Sequence, residues 1–439
     1  MNPGSGPDLY SGHAQSLNRE KRSASKFVAL MLSVPLIIYI SSLWLVRPLS
    51  LGDTFSFTLA APGVLVLSIL IVRIPRAHFL TSLSRVGIEF GLLFLIICLS
   101  VLSLVNSNDP IRSFRIIFPS VLPMTLFLHL VVVSYVSPGQ LQKIPRMMIV
   151  GAFIFSVLPG LLALVLPPLS SYLAVTYRVR GFFENSIQHS IALGVIVPLV
   201  VVEFATARTG KAKAVWAICL LLMAFTTFRA GSKSVLGISF GSGMLLYALL
   251  AFRSRNFIRI LFVLIGIVLL AVFLWLFGLQ LAEMLNPVIA EKLRSIIEGG
   301  VSNYQSIDSR KLLWQEAINQ GKRHWIVGSG AGEMVLGISH SHNLVLDYFK
   351  GIGVFGAAAI LLLCLTILTR TAFKAVSVVA GNGDELDVRV LACYFASANY
   401  VVCSQLSDCF GPSTVGFLWI VYLSGRFLEG SPRSGLTPR

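Results

Sequence analysis

Charge is scarce in this chain of 439 residues. Only 12% of them are Asp, Glu, Lys or Arg, while 55% are hydrophobic and the mean hydropathy is +0.81. Soluble domains carry about a quarter charged residues, so an ordinary water-soluble globule is excluded. Negative charge is the scarcer kind, with 19 carboxylates against 35 Lys and Arg and a net charge of +16. Such an excess can serve nucleic-acid binding, but here the basic residues sit at the ends of apolar runs. No aromatic-basic motif of DNA or RNA recognition is present, and the distribution fits membrane topology and lipid contact. Cysteine is also sparse. Cys98, Cys219, Cys364, Cys393 and Cys403 lie in apolar runs and Cys409 just after one, with no CxxC pair or metal-ligand spacing. They read as small buried apolar residues.

What fills the chain is hydrocarbon-compatible helix. A transmembrane helix needs roughly 20 apolar residues, and scanning predicts about twelve spans: 27–46, 55–72, 86–105, 114–134, 147–166, 190–206, 214–228, 234–252, 260–278, 344–369, 390–407 and 413–427. Residues 1–26 are Gly/Ser-rich, then basic at Arg19, Lys21, Arg22 and Lys26, and predict a disordered cytoplasmic N-terminus. The run from Phe27 to Val46 is too long for a signal-peptide core and lacks a small-x-small cleavage site, so it is expected to remain as the first span. Residues 27–428 form the membrane domain, with a long loop at 279–343 and a cytoplasmic tail at 429–439. With the N-terminus in the cytoplasm, 21 of the 35 basic residues fall inside and seven in short outer loops. The other seven lie in or beside the long loop, and long loops obey the positive-inside rule poorly. The bias predicts both termini inside and the long loop outside. No inner loop is long enough to house a nucleotide-binding domain.

Three outer segments carry arginines that this rule does not require. One is Tyr177-Arg178-Val179-Arg180-Gly181 with Asn185, ahead of the span near Ser190. The second is the tight turn Thr227-Phe228-Arg229-Ala230-Gly231-Ser232-Lys233, and the third is the long loop with Arg310. The planar guanidinium suits bidentate contacts to phosphate oxygens, each worth on the order of 1.5–3 kcal/mol. Converging arginines can hold a lipid diphosphate at the membrane surface; singly, each can also snorkel to headgroups.

Within the long loop, Asp308 is expected to cap a helix running to about Gln320 and closed by Gly321. Leu313, Trp314, Ala317 and Ile318 make its apolar face, and Arg310 is set near headgroup depth. Gly328-Ser329-Gly330-Ala331-Gly332 follows no βαβ pattern and reads as a flexible turn rather than a phosphate loop. His340 and His342 follow, with Asn343 directly against the next span. A histidine is partly neutral near pH 7 and can accept a proton. Two histidines two apart, without a cysteine or acid at the right spacing, are poor zinc ligands. Asp347 and Lys350 enter the next span three residues apart. Asp347 is either functional, as acids at membrane depth often are, or paired with Lys350, or it orients the histidine segment.

Together Arg180-Gly181 with Asn185, Thr227-Phe228-Arg229, Arg310 with Trp314, Gly328-x-Gly330, and His342-Asn343 followed by Gly351-x-Gly353 resemble the O-antigen ligase and Wzy-type polysaccharide polymerase superfamily. The resemblance implies an all-α polytopic membrane glycosyltransferase of the GT-C type in the bacterial inner membrane. Such enzymes transfer a glycan from undecaprenyl diphosphate to a hydroxyl at the periplasmic face, without metal or other cofactor. Carried over, His342, Arg229 and Arg180 are catalytic, the arginines on the diphosphate and the histidine on the acceptor. Arg178, Lys233, Arg310, Asn343, His340 and Asp347 contribute to substrate binding. The implied partners are the lipid-linked glycan, an acceptor that is lipid A core or a growing glycan, and membrane lipids, with no nucleic acid. Phe228 stands where a serine often precedes the arginine, and Ser186 where proline is common, which leaves the acceptor open. A twelve-span secondary transporter is the competing class, but the charges crowd the outer boundary rather than the bilayer midplane.

Overall fold

In the computed structural model the described residues are 74–117, 122–166, 173–175, 178–183, 186–254, 305–331, 333–336, 341–381, 384–405 and 412–430, with single positions between 37 and 294. The expected spans 27–46, 55–72 and 260–278 lie outside them apart from Ile37 and Ile40, as do the N-terminal segment, most of 279–304 and the tail beyond 430. The described chain is dominated by helices: α1 Arg76–Arg85, α2 Gly87–Ser103, α3 Pro110–Ile117, α4 Leu122–Val136, α5 Pro138–Leu141, α6 Ile144–Ala152 and α7 Leu158–Val165. A π-helical turn, Phe153–Val157, joins α6 to α7. After a minimal antiparallel hairpin, β1 Ala174–Val175 and β2 Arg178–Val179, come α8 Ser186–Thr206, α9 Gly210–Arg229 and α10 Lys233–Arg253. The last four are α11 Gln305–Arg323, α12 Leu344–Val379, α13 Glu385–Ser404 and α14 Pro412–Glu429.

Seven stretches among the described residues are long and apolar enough to cross a membrane: Gly87–Asn106, Pro138–Ala163, Ser186–Thr206, Gly210–Arg229, Ser234–Arg253, Leu344–Val379 and Glu385–Ser404. They coincide with expected spans, and the molecule is an all-α polytopic membrane protein. Of the expected span 114–134 the described residues hold the end of α3 and most of α4, and 118–121 lie outside them. Pro123 sits in the first turn of α4, where a missing N–H costs nothing. The run expected at 344–369 continues to Val379 and is broken at Ile352 and Gly353. Polar side chains fix several starts. Thr209 and Asn343 accept from the amides of Ala212 and Leu346, and Asp384 and Asp387 cap α13 reciprocally.

Helix α8 is the hub, enclosed along most of its length by α9, α10 and α13. Pro198 lies inside it and has no N–H to give the Gly194 carbonyl four residues back. Asn399 of α13 supplies the missing donor, its Nδ2 lying 3.1 Å from that oxygen. Gly194 also lets α10 approach, since a Cβ there would stand 2.2 Å from Ser239 Oγ.

Successive helices run up and down, so the bundle has two chemically distinct ends. One gathers the hairpin, the α9–α10 turn, α11 and the start of α12. The other gathers the ion pairs. There Glu89 of α2, fully buried, receives the Tyr422 hydroxyl and pairs with Arg370 at 2.8 Å and Arg426 at 4.0 Å. Glu429 joins Arg426 at 2.9 Å and the Tyr394 hydroxyl at 2.7 Å. Lys374 bridges Asp387 at 2.6 Å and Glu429 at 3.4 Å. Helices α2, α12, α13 and α14 are thereby tied at one level.

Candidate functional site

At the loop end, Arg229 is the last residue of α9 and Lys233 the first of α10. The reversal between them needs Gly231, whose φ of +77° few other residues tolerate. Arg178 in β2 clamps this turn, with Nε 3.2 Å from the Ala230 carbonyl and Nη2 3.1 Å from that of Gly231. A guanidinium on the free carbonyls at a helix end is favourable for both groups. Arg178, expected among the substrate ligands, therefore ties the hairpin to the turn that carries Arg229. Two residues on, Arg180 leaves a fixed backbone: its own N–H and that of Gly181 both donate to the Leu173 carbonyl, at 2.9 and 3.0 Å. Arg180 and Arg229, both partly buried, are thus held by one connected piece of main chain. Asn185, His340 and the side chain of Lys233 lie outside the described residues.

The two glycine motifs turn out to be halves of one junction. Where α12 breaks, Ile352 leaves helical geometry and Gly353 takes φ +79°. Three main-chain bonds from the preceding loop fill the gap: Ser329 N to the Lys350 carbonyl at 2.9 Å, Gly330 N to Gly351 at 3.0 Å, and Val354 N to Trp325 at 2.8 Å. The Ser329 hydroxyl adds a fourth, to the Lys350 carbonyl at 2.9 Å. Contact between the backbones is close enough that a Cβ on Gly328 would lie 2.3 Å from Gly351, and one on Gly353 2.2 Å from the Ile326 oxygen. On the loop's far side, Asn106 donates to the Gly328 carbonyl at 3.0 Å, and the Asn108 amide to Glu333 at 2.6 Å.

His342 follows this junction. Its φ is +60°, left-handed and rare for a side chain with a Cβ. Three polar groups impose that bend. The Ser341 amide donates to Asp347 Oδ1 at 2.8 Å, the Ser341 hydroxyl lies 3.3 Å from the Asn343 carbonyl, and Asn343 caps α12 through Leu346 N at 3.0 Å. Asn343 Nδ2 also reaches the Gln405 carbonyl at 3.4 Å, joining the segment to the end of α13. Asp347 is buried under the loop with Lys350 at 3.7 Å, and Lys350 Nζ donates to the Glu333 carbonyl at 2.7 Å. Of the three readings open for Asp347, pairing with Lys350 and orienting the histidine segment are both realised. Asn343 likewise acts here through its cap.

Arg310 lies on α11, which packs along α12. Two expectations about this helix are corrected. It begins at Gln305, so Asp308 lies inside it rather than at its cap. It runs on to Arg323, so Gly321 does not end it. Gly321 is instead a crossing point, where a Cβ would lie 2.5 Å from the Phe349 ring. The expected apolar face is real in Leu313 and Ala317, both buried. Trp314, one turn beyond Arg310, has a buried Nε1 with no hydrogen-bond partner among the described residues. His342 Nδ1 is in the same condition. Burial holds the His342 imidazole below its usual value of about 6.5, and the positive charge of Arg310 lowers it further. The site thus joins a neutral imidazole, able to accept a proton, to a cation able to hold an anion. Buried polar atoms without partners on a strained backbone are a mark of functional sites.

Sequence reasoning gave Lys350 only the role of a partner for Asp347, and passed over Ser341 and Glu333. A lysine inside an apolar run and an acid beside a glycine motif were the available signals. Residues 218–361 match the family model described as O-antigen ligase, a stretch that contains Arg229, Arg310, His342 and both glycine motifs. No curated protein matches the chain.

Proposed function

We propose, from the match of residues 218–361 to the O-antigen ligase family model, that the chain is a membrane enzyme of polysaccharide assembly, a glycosyltransferase moving a glycan from undecaprenyl diphosphate to a sugar hydroxyl. The observation that carries this reading is His342, neutral and strained beside Arg310, within the matched stretch. Arg180 and Arg229, with Arg310, hold the diphosphate oxygens and stabilise the charge that develops as the bond to the anomeric carbon breaks. The acceptor hydroxyl gives its proton to the His342 imidazole as its oxygen forms the new glycosidic bond, and the lipid diphosphate leaves. The reaction lies at the periplasmic face of the inner membrane with both termini in the cytoplasm. The end opposite the loops carries Arg85, Arg146, Arg253, Arg370, Lys374, Arg389 and Arg426, as the positive-inside rule requires of a cytoplasmic face.

The test uses His342→Ala and His342→Gly. Glycine suits a φ of +60°, so the second variant keeps the loop while removing the base. Both are expected to lower transfer from a purified undecaprenyl-diphosphate glycan by about 10²-fold or more, and to shorten surface glycan as lipid-linked intermediates accumulate. Unchanged surface glycan at normal protein level would sink the assignment. Supplying the donor with and without lipid A core separates ligase from polymerase.

A further inference from the structure

His189, in the first turn of α8, is fully buried and takes no part in the chemistry just described. Its surroundings are specific. A ring N–H donates to the backbone carbonyl of Arg180. The Ser156 hydroxyl lies 3.2 Å from Nδ1 and 3.4 Å from Nε2, and the Phe183 ring meets the imidazole edge-on at 5.7 Å. Gly181, at φ +56°, leaves the space the ring occupies, since a Cβ there would stand 2.8 Å from Nδ1. Ser156 is itself fully buried and belongs to the π-helical turn between α6 and α7. Such turns are rare and frequent at functional sites. Here the turn delivers a hydroxyl to an imidazole that delivers a hydrogen bond to Arg180.

A polar ring enclosed at membrane depth stays there only where its hydrogen bonds are met, so the carbonyl holds the ring, and the ring joins the Phe183 amide, at 3.1 Å, in holding the carbonyl. The Arg180 side chain starts from that carbonyl's residue and follows its orientation. Phe183 and the Gly181 turn close the ring off, which leaves it no route to substrate. We infer that His189 is a positioning residue for Arg180, directing its guanidinium at the donor diphosphate through the chain Ser156–His189–Arg180. The inference rests on the reading of Arg180 as a diphosphate ligand.

The experiment measures transfer from undecaprenyl-diphosphate glycan by the purified full chain in lipid nanodiscs, with donor concentration varied. A group misplaced by about 1 Å can cost on the order of 10² in rate, so His189→Leu is expected to raise the donor KM about tenfold or more. His189→Asn keeps an amide donor and is expected to recover most of the loss. Combined with Arg180→Ala, His189→Leu adds little beyond Arg180→Ala alone, as for two residues acting through one contact. A folded His189→Leu with unchanged donor KM overturns the inference, as do losses that multiply in the double variant. If His189→Leu does not fold, Ser156→Ala loosens the ring without emptying its site and is expected to raise the donor KM several-fold; no change overturns the inference. If Arg180→Ala itself leaves transfer intact, the diphosphate reading fails and the positioning role falls with it. A full Arg180 effect with no His189 effect removes only the latter.

Discussion

His342 occupies a backbone region that costs an ordinary residue on the order of 1–3 kcal/mol. The cost persists because Ser341, Asn343 and Asp347 determine the turn on both sides of it. A pH dependence follows. The neutral ring is the form that accepts a proton, and its pKa lies below the usual imidazole value. Activity should therefore hold through pH 6.5 and fall only as the pH passes below that depressed value. Replacing Arg310 by Gln removes the cationic part of the shift and leaves burial, so the acidic limb of kcat/KM should move to higher pH. Arg310→Lys should leave it nearly in place. A limb that stays put in Arg310→Gln would separate the two residues. That His342 stands almost directly before an apolar run was legible in the sequence. Its strain was not, because φ is set by an aspartate buried on the next helix. Arg178, expected at the substrate, also holds the Ala230 and Gly231 carbonyls, a use that nothing in an arginine's own sequence context announces, because the turn lies 52 residues away.

Among elements, α8 and α12 show how irregular helices survive in a membrane protein. Each interruption exposes a carbonyl or amide, and each is met by a donor or acceptor from elsewhere in the fold. For α8 the donor is Asn399, and Asn399→Leu should orphan the Gly194 carbonyl. The expected loss is about 1–3 kcal/mol, read as a lowered unfolding temperature in detergent, with Asn399→Gln less severe. For α12 the partner is the loop through Gly328 and Gly330. The apolar runs made most helices readable. Pro198 stands inside α8, which runs on unbroken, and nothing near it in sequence names the donor that replaces its N–H, because Asn399 lies some 200 residues later in the chain. Gly321 was misread for the same reason. Glycine near a predicted helix end suggests a terminus, and only the crossing of Phe349 shows the other use.

At the scale of the whole molecule, the candidate site and the ion-pair cluster occupy opposite ends. Basic residues bias the topology from sequence alone, but the acids that answer them at the cohesive end are few and were passed over. Glu89 is the deepest of these, and the four helices it helps join include α2 and α12, which are linked again at the other end through Asn106, just after α2, and the Gly328 loop bonded to α12. Arg370→Leu should leave Glu89 undercompensated. Removing one partner of a buried pair costs about 3–5 kcal/mol, moderated here by Tyr422 and Arg426. Arg370→Leu with Glu89→Gln should recover part of the loss in thermal unfolding. If the double variant is as unstable as the sum of the singles, the two groups do not act as a pair.

The seam between Trp325–Gly330 and Lys350–Val354 has a consequence for how such a protein can diversify. The chain between Gly330 and Ser341 leaves one anchored point and returns to another, because Asp347 holds Ser341. Lengthening a loop whose ends are fixed is cheap, about 0.6 kcal/mol for each doubling. Insertions can therefore change the length of that excursion while the histidine keeps its place, provided that Glu333 and the buried Val335 keep theirs.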